Sequence, residues 1–155
     1  MEVELRAAHT GDAETMTELF ITVRRNTMPY LPIIHTRDET LWWMEHVVLT
    51  GNAVIVATCS TELVGFAAVR ANFLEHLYVA LEAQGKGIGS KLLHKATSSI
   101  SYPVSLCVFQ QNKRARRFYE KHGFYCSALR DGSQNEEGEP DAIYISGSFQ
   151  ETGLC

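Results

Sequence analysis

Apolar positions along the chain change period several times, between two and about 3.6 residues, as in a sequence that interleaves strands with helices. Val3 and Leu5 alternate with Glu2, Glu4 and Arg6, the pattern of a half-buried first strand. After Thr10-Gly-Asp, the spacing of Ala13, Met16, Leu19, Phe20 and Val23 puts one apolar stripe on a helix. The stretch Asn26 to His35 holds Pro29 and Pro32 and predicts a loop, because proline lacks an amide donor and restricts the residue before it. Thr36-Arg-Asp-Glu39 has the form of a capping box and predicts a second helix with Leu41, Met44 and Val48 turned inward. Ala53 to Cys59 and Leu63 to Ala71 read as a hairpin turning near Ser60-Thr-Glu, and Phe73 to Ala80 as the next strand.

Gly85 to Gly89 opens a helix whose core stripe is Ile88, Leu92, Leu93 and Ala96, and which ends before Pro103. Val104 to Phe109 is a strand, and Asn112 to His122 a short helix that Gly123 stops in a left-handed conformation. Phe124 to Leu129 and Ala142 to Ser146 form a closing strand pair around the polar loop Asp131 to Asp141. The expected order is β-α-α-β-β-β-α-β-α-β-β, a mixed α/β fold.

Composition narrows the function. The chain has 155 residues, 45% of them apolar and 21% charged, enough for a sizeable core and a soluble surface in one domain spanning 1–155. A net charge of -4 is the wrong sign for a protein that neutralises phosphate backbones over a broad face, so nucleic acid is excluded as a partner class. Cys59, Cys107, Cys126 and Cys155 are far apart in sequence with no C-x-x-C pair, and are expected to be free thiols in a reducing, cytoplasmic setting. No run of eighteen or more apolar residues occurs and Met1-Glu-Val-Glu-Leu-Arg does not begin like a signal peptide, so no membrane partner is expected. No metal site is expected either.

The chemistry concentrates in Leu77-Tyr-Val-Ala-Leu-Glu-Ala-Gln84-Gly-Lys-Gly-Ile-Gly89-Ser, a strand, a glycine-rich turn and a helix start. Glycines let the backbone approach a ligand, and the first amides of a helix lack internal partners while carrying the positive end of the dipole, so this is a pyrophosphate site. It lacks G-x-x-x-x-G-K-[ST], and Ser90 stands where a dinucleotide fingerprint needs its third glycine, so nucleoside triphosphates and NAD fall in rank. Gln84-Gly-Lys-Gly-Ile-Gly89 resembles the [Q/R]-x-x-G-x-[G/A] acetyl-CoA signature of the GCN5-related N-acetyltransferase (GNAT) superfamily. A second block, Asn112-Lys-Arg-Ala115-Arg-Arg-Phe118-Tyr119-Glu-Lys-His-Gly123-Phe124, is similar to that superfamily's N-x-x-A-x-x-F-Y-x-x-x-G-F element and follows a strand as it should. Pro140-Asp-Ala-Ile-Tyr144 is similar to many bacterial members, and the element order resembles the family over essentially the whole chain.

The resemblance implies a GNAT-like α/β domain with a twisted mixed central sheet, its fourth and fifth strands splayed and helices on both sides. Acetyl-CoA would be the co-substrate. Its pantetheine would lie in the wedge beside Leu77, Tyr78 and Val79, its pyrophosphate on the amides of Gln84, Gly85, Lys86, Gly87, Ile88, Gly89 and Ser90. Asn112 would bond the pantetheine arm, with Ala115 and Phe118 lining it. The implied reaction is direct attack of a primary amine, carried by a small molecule or a peptide, on the thioester. A non-catalytic acyl-CoA binding or sensing module is the alternative, and a homodimer is compatible with either.

An amine with a lysine-like pKa of about 10.4 is neutral in only about one molecule in two thousand at pH 7, a penalty of about 4.6 kcal/mol that a base or a dry pocket must offset. Glu75 and His76 are the candidate bases; strict alternation sets Glu75 on the face of Leu77 and Val79 and His76 on that of Tyr78, and Glu75 is preferred. Tyr119 is the candidate donor to the departing sulfur, by hydrogen bonding with proton relay, since a phenol near pKa 10 is a weaker acid than a thiol near about 8.5. For the acceptor pocket the candidates are Tyr30, His35 and Trp42 or Trp43, beside the proline loop where the family builds its substrate wall.

Overall fold

The computed structural model describes residues 2–147. Its strands are β1 (Glu4–Ala7), β2 (Ala53–Cys59), β3 (Glu62–Arg70), β4 (Phe73–Val79), β5 (Ser105–Phe109), β6 (Phe124–Arg130) and β7 (Asp141–Ser146). The helices are α1 (Ala13–Thr27), α2 (Arg37–Trp43), α3 (Leu49–Gly51), α4 (Ile88–Thr97) and α5 (Lys113–Lys121). The strands make one sheet in the order β1-β2-β3-β4-β5-β7-β6, antiparallel throughout except for the parallel pair β4 and β5. This is the mixed α/β order that the apolar periodicity predicts, in the helix-flanked mixed sheet that the family resemblance implies.

Each face of the sheet carries its own apolar cluster. Met16, Leu19 and Val23 of α1 join Met44, Val48 and Phe66 on one side. Ile88, Leu92 and Leu93 of α4 and Tyr119 of α5 join Leu106 and Tyr144 on the other. Strand β3 runs between them, Phe66 and Ala68 facing the first cluster and Ala67 and Val69 the second, so it reads as a nearly continuous apolar run.

Local chemistry sets the helix ends. The Thr36 hydroxyl accepts from Glu39 N at 3.1 Å while Glu39 Oε1 accepts from Thr36 N at 2.9 Å, closing the predicted capping box. Beyond α2 the helix continues through a π-helical turn, Met44–Val48, into α3. Met44 and Val48 are buried as expected, but Leu41 is only half-buried and Thr40 is the buried residue of α2. The wider turn shifts the phase of the inward stripe, which a 3.6-residue reading does not anticipate. Gly123 stops α5 with φ of 87°, the expected left-handed conformation.

Among the cysteines, Cys59 and Cys107 are free thiols, whereas Cys126 is disulfide-bonded, against the expectation of four free thiols. That expectation rested on separation along the sequence, which does not measure distance in the folded chain. Cys155 lies outside the described residues. No helix among the described residues is long and apolar enough to cross a membrane.

The closing strand pair is locked by a buried ion pair. Asp141 is 3% exposed and accepts from Arg130 Nε and Nη2, each at 2.7 Å, and from Asn135 Nδ2 at 3.2 Å. The Arg130 bonds hold its carboxyl below the usual carboxylate range. Its stabilising effect is therefore present above the ordinary aspartate pKa and is lost as pH falls through the depressed folded value. Asp141→Asn should lower unfolding free energy by about 2 kcal/mol at pH 7, discounted for the partly exposed guanidinium, and weaken the acid dependence in urea titrations.

Candidate active site

β4 and β5 pair at Phe73 with Ser105 and Leu74 with Leu106, and nowhere beyond, so a cleft opens between them. Ala80 N donates to Val64 O at 2.8 Å, across the β3 side of the chain. Antiparallel alternation then turns the backbone of His76 and Tyr78 toward β3, and that of Leu77 and Val79 toward the cleft. Gln84 Nε2 donates to Val79 O at 2.9 Å, in keeping with that direction. Tyr78 consequently meets the cleft region through its side chain rather than its backbone. Its ring packs on Phe20 and Phe66, and its hydroxyl lies 3.5 Å from Arg24 Nη1.

β4 also contains an extra residue, Glu75, opposite the step from Ala68 to Val69 of β3. Unbroken alternation would put Leu74 and Leu77 on opposite faces, yet both belong with Val79 to the α4 and α5 cluster. The bulge thus corrects the expected face of Glu75: it does not share that of Leu77 and Val79. Its carboxylate accepts from Arg70 Nε at 3.3 Å and Nη2 at 3.0 Å.

At the turn, Gly85 and Gly87 have φ of 77° and 82°. A Cβ on either would meet nothing within 4 Å, so backbone conformation rather than crowding calls for glycine. Gly87 caps α4 without a side chain, and the first bond into the helix runs from Lys91 N to Gly87 O at 3.1 Å. The amides of Gly85, Lys86, Gly87, Ile88, Gly89 and Ser90 donate to no described group, and with the helix dipole they form an anion cradle. A Cβ on Gly89 would lie 3.4 Å from the Phe118 ring, which seats α4 against α5. His122 Nδ1–H donates to Phe118 O at 2.8 Å, leaving Nε2 to accept the Ser90 hydroxyl, also at 2.8 Å.

Asn112 caps α5, its Oδ1 accepting from Ala115 N at 3.2 Å, while its Nδ2 lies 3.6 Å from Met28 Sδ. Ala115 and Phe118 are half-buried against the same apolar cluster. Tyr119 is buried, edge-on to Phe118 and Phe124, and its hydroxyl bonds no described residue. Burial, with a smaller contribution from Tyr78, pushes its pKa well above the usual phenol value. Tyr78 and Tyr119 belong to opposite faces of the sheet, the first packed with Phe66 and the second with Leu106.

On the α1 face a cavity of about 1050 Å³ is lined by Phe20, Ile33, His35, Trp42, Trp43 and His76 among others. Of the expected acceptor residues, His35 and Trp42 therefore line it, and Trp43 does so as well. Tyr30 does not; its hydroxyl is sealed without a hydrogen-bond partner, and burial raises its pKa. Glu136 and Glu137 reach the cavity from the loop before β7, pairing with His35 and Arg24, each at 2.9 Å. His76 faces the Trp43 and Phe20 rings, 5.1 and 6.2 Å between centroids. Burial first, and the Arg24 charge second, push the imidazole pKa down to about 4. Among the described residues no cluster of three or more His, Cys, Asp or Glu is arranged to hold a metal ion.

Residues 50–126 match the family model described as an acetyltransferase (GNAT) domain. The chain belongs to the GNAT superfamily. The match takes in the cleft strand, the glycine turn and α5, the elements that carry both sequence blocks. The chain is 28% identical over 135 residues to an uncharacterized N-acetyltransferase of Archaeoglobus fulgidus, covering 76% of this chain and 89% of that one. Apo YjaB from Escherichia coli has the same fold at a TM-score of 0.77 and 20% identity, over 94% of this chain and 97% of that one. So does the PaiA N-acetyltransferase of Thermoplasma acidophilum, solved with coenzyme A, at a TM-score of 0.71 and 23% identity, over 96% and 100% of the two chains.

In this GNAT chain the glycine turn and α5 were readable from motifs. The cavity was less so, because Phe20, Arg24, Trp42, Glu136 and Glu137 all fall outside the matched residues. Arg24 and Glu137 were missed altogether. Arg24 lies one turn beyond Phe20 on the apolar face of α1, a charged side chain where the stripe continues, and that was the signal available.

The depressed His76 pKa makes a stability prediction with a definite sign. As pH falls below 6.5 the unfolded chain takes up a proton that the folded chain refuses until about 4, so this site lowers stability across that interval. His76→Gln should flatten the acid loss of stability between those two values, read as the midpoint of urea unfolding against pH.

Proposed function

We propose that this chain transfers the acetyl group of acetyl-CoA to a primary amine, without a covalent enzyme intermediate. The observation that carries the reading is the juxtaposition of six unpartnered amides at the glycine turn with a parted sheet edge at Leu77 and Val79. An anionic diphosphate suits the first and an amide-bearing arm the second, because each supplies the acceptors and donors the backbone lacks. Coenzyme A is the ligand named for the PaiA structure of the same fold, and it has both parts. Bound acetyl-CoA supplies an activated thioester; the protein supplies alignment and proton management.

The acceptor enters from the α1 face, where His76 is the titratable side chain of β4 that lines the cavity. Glu75, engaged by Arg70, does not line it. The surroundings that hold His76 neutral also disfavour an ammonium, so the acceptor binds as the free amine. As its nitrogen bonds the acetyl carbon it becomes strongly acidic, and a weakly basic imidazole suffices to take the proton. Tyr119 stays protonated and donates its hydroxyl hydrogen toward the leaving sulfur.

Three measurements test this. Titration of the protein with acetyl-CoA should show saturable binding, weakened by Gly87→Val, which cannot hold the left-handed turn without strain. Tyr119→Phe should lower kcat by roughly tenfold or more with little change in acetyl-CoA affinity. His76→Gln should reduce kcat/KM far more than Glu75→Gln in a thiol-release assay; the reverse ranking would return the base role to Glu75.

A further inference from the structure

The acceptor's chemical class is written in the donors of Arg24. A guanidinium has five N–H groups. Arg24 directs Nη2 to Glu137 at 2.9 Å and Nη1 toward the Tyr78 hydroxyl at 3.5 Å, and its other N–H groups bond no described residue. Its side chain is only 22% exposed and lines the cavity. Half-buried charged donors of this kind favour an anionic oxygen placed against them.

Arg25 also lines the cavity and pairs with no described carboxylate. The lining holds carboxylates too, and most of them are committed: Glu137 to Arg24, Glu136 to His35, and Glu39 to the amide of Thr36. Asp38, exposed in the first turn of α2, is the one left without a hydrogen bond. Asp38 and Arg25 are thus the exposed, uncommitted charges of the lining, and the half-buried donors still free beside His76 are those of Arg24.

Position matters as much as charge. Arg24 and His76 flank one ring, the guanidinium carbon 5.0 Å and the imidazole centroid 6.2 Å from the centre of Phe20. Around them stand Trp42, Trp43 and Ile33, an apolar and aromatic wall. We propose that the acceptor is an α-amino acid with an apolar side chain, its amine at His76, its carboxylate on Arg24 and its side chain against the tryptophans. This rests on the acetyltransferase reading above. A bond forms between the amine nitrogen and the acetyl carbon, the carbon–sulfur bond breaks, and His76 takes the amine proton and passes it to solvent. The thiolate, hydrogen-bonded by Tyr119 as it leaves, takes up one proton from solvent to give the free thiol. The carboxylate is unchanged in the N-acetyl amino acid.

The test compares phenylalanine and leucine with phenethylamine and 3-methylbutylamine, the same bodies without a carboxylate, and with spermidine. Thiol release should give kcat/KM roughly ten- to hundredfold higher for each amino acid than for its decarboxylated partner. Arg24→Met should bring that ratio to about one, and Arg24→Lys should restore part of it. The ratio is taken within each variant, so it does not depend on the folded fraction, and the wild-type ratio alone is decisive if a variant fails to fold. Quenching of Trp42 and Trp43 fluorescence by phenylalanine but not by phenethylamine, at equal concentration, would support the assignment without turnover. Equal or better use of phenethylamine or spermidine overturns it. So does a protein that binds acetyl-CoA yet neither binds nor acetylates an amino acid, an outcome that leaves the coenzyme reading standing. Failure to bind acetyl-CoA removes both.

Discussion

Backbone amides and carbonyls inside a protein must find partners, and β4 and β5 abandon one another after two paired positions. The chain tolerates this gap because the sheet is complete on both flanks: β4 is zipped to β3, and β5 to β7, along nearly their whole lengths. The cleft-facing groups of Leu77 and Val79, of which the Val79 carbonyl already takes the Gln84 side chain, are therefore held in a fixed direction by a ladder on their other side. A loose loop could offer the same groups, but only at the entropic expense of ordering them when a ligand arrives.

The two faces of the sheet divide the work. The α4 and α5 side provides the anion cradle and Tyr119, and the α1 and α2 side the cavity with His76. The unpaired ends of β4 and β5 lie between the two. Arg24 ties the second side together. It lies on Phe20, reaches Tyr78, holds Glu137 of the distant loop and suppresses protonation of His76. One guanidinium thus links the helix, the cleft strand and the loop that borders the cavity.

Much of the framework was legible in the sequence because it depends on local chemistry. The capping box at Thr36, the proline loop, the glycine turn and the stop at Gly123 each follow from what particular residues can do with their own backbone. What escaped was nonlocal. The bulge at Glu75 is a mismatch between two strands and leaves no mark in the composition of one, so the alternation argument put Glu75 on the wrong face. Tyr30 was placed correctly beside the proline loop, yet whether its ring turned toward the cavity depended on packing. Arg24 looked like an interruption of an apolar stripe, and its meaning came from Glu137, more than a hundred residues away.

The π-helical turn at Met44–Val48 has an evolutionary corollary. Val48 is anchored in the core, while Trp42 and Trp43 stand on the other side of the turn, in the cavity wall. The wide turn absorbs one extra residue, so deleting one between them would restore regular winding while leaving the preceding helix with nearly the same face toward the cavity. The sheet and the glycine turn would be untouched. A single codon can therefore be lost or gained at this turn with the core anchor and the aromatic wall both kept in place.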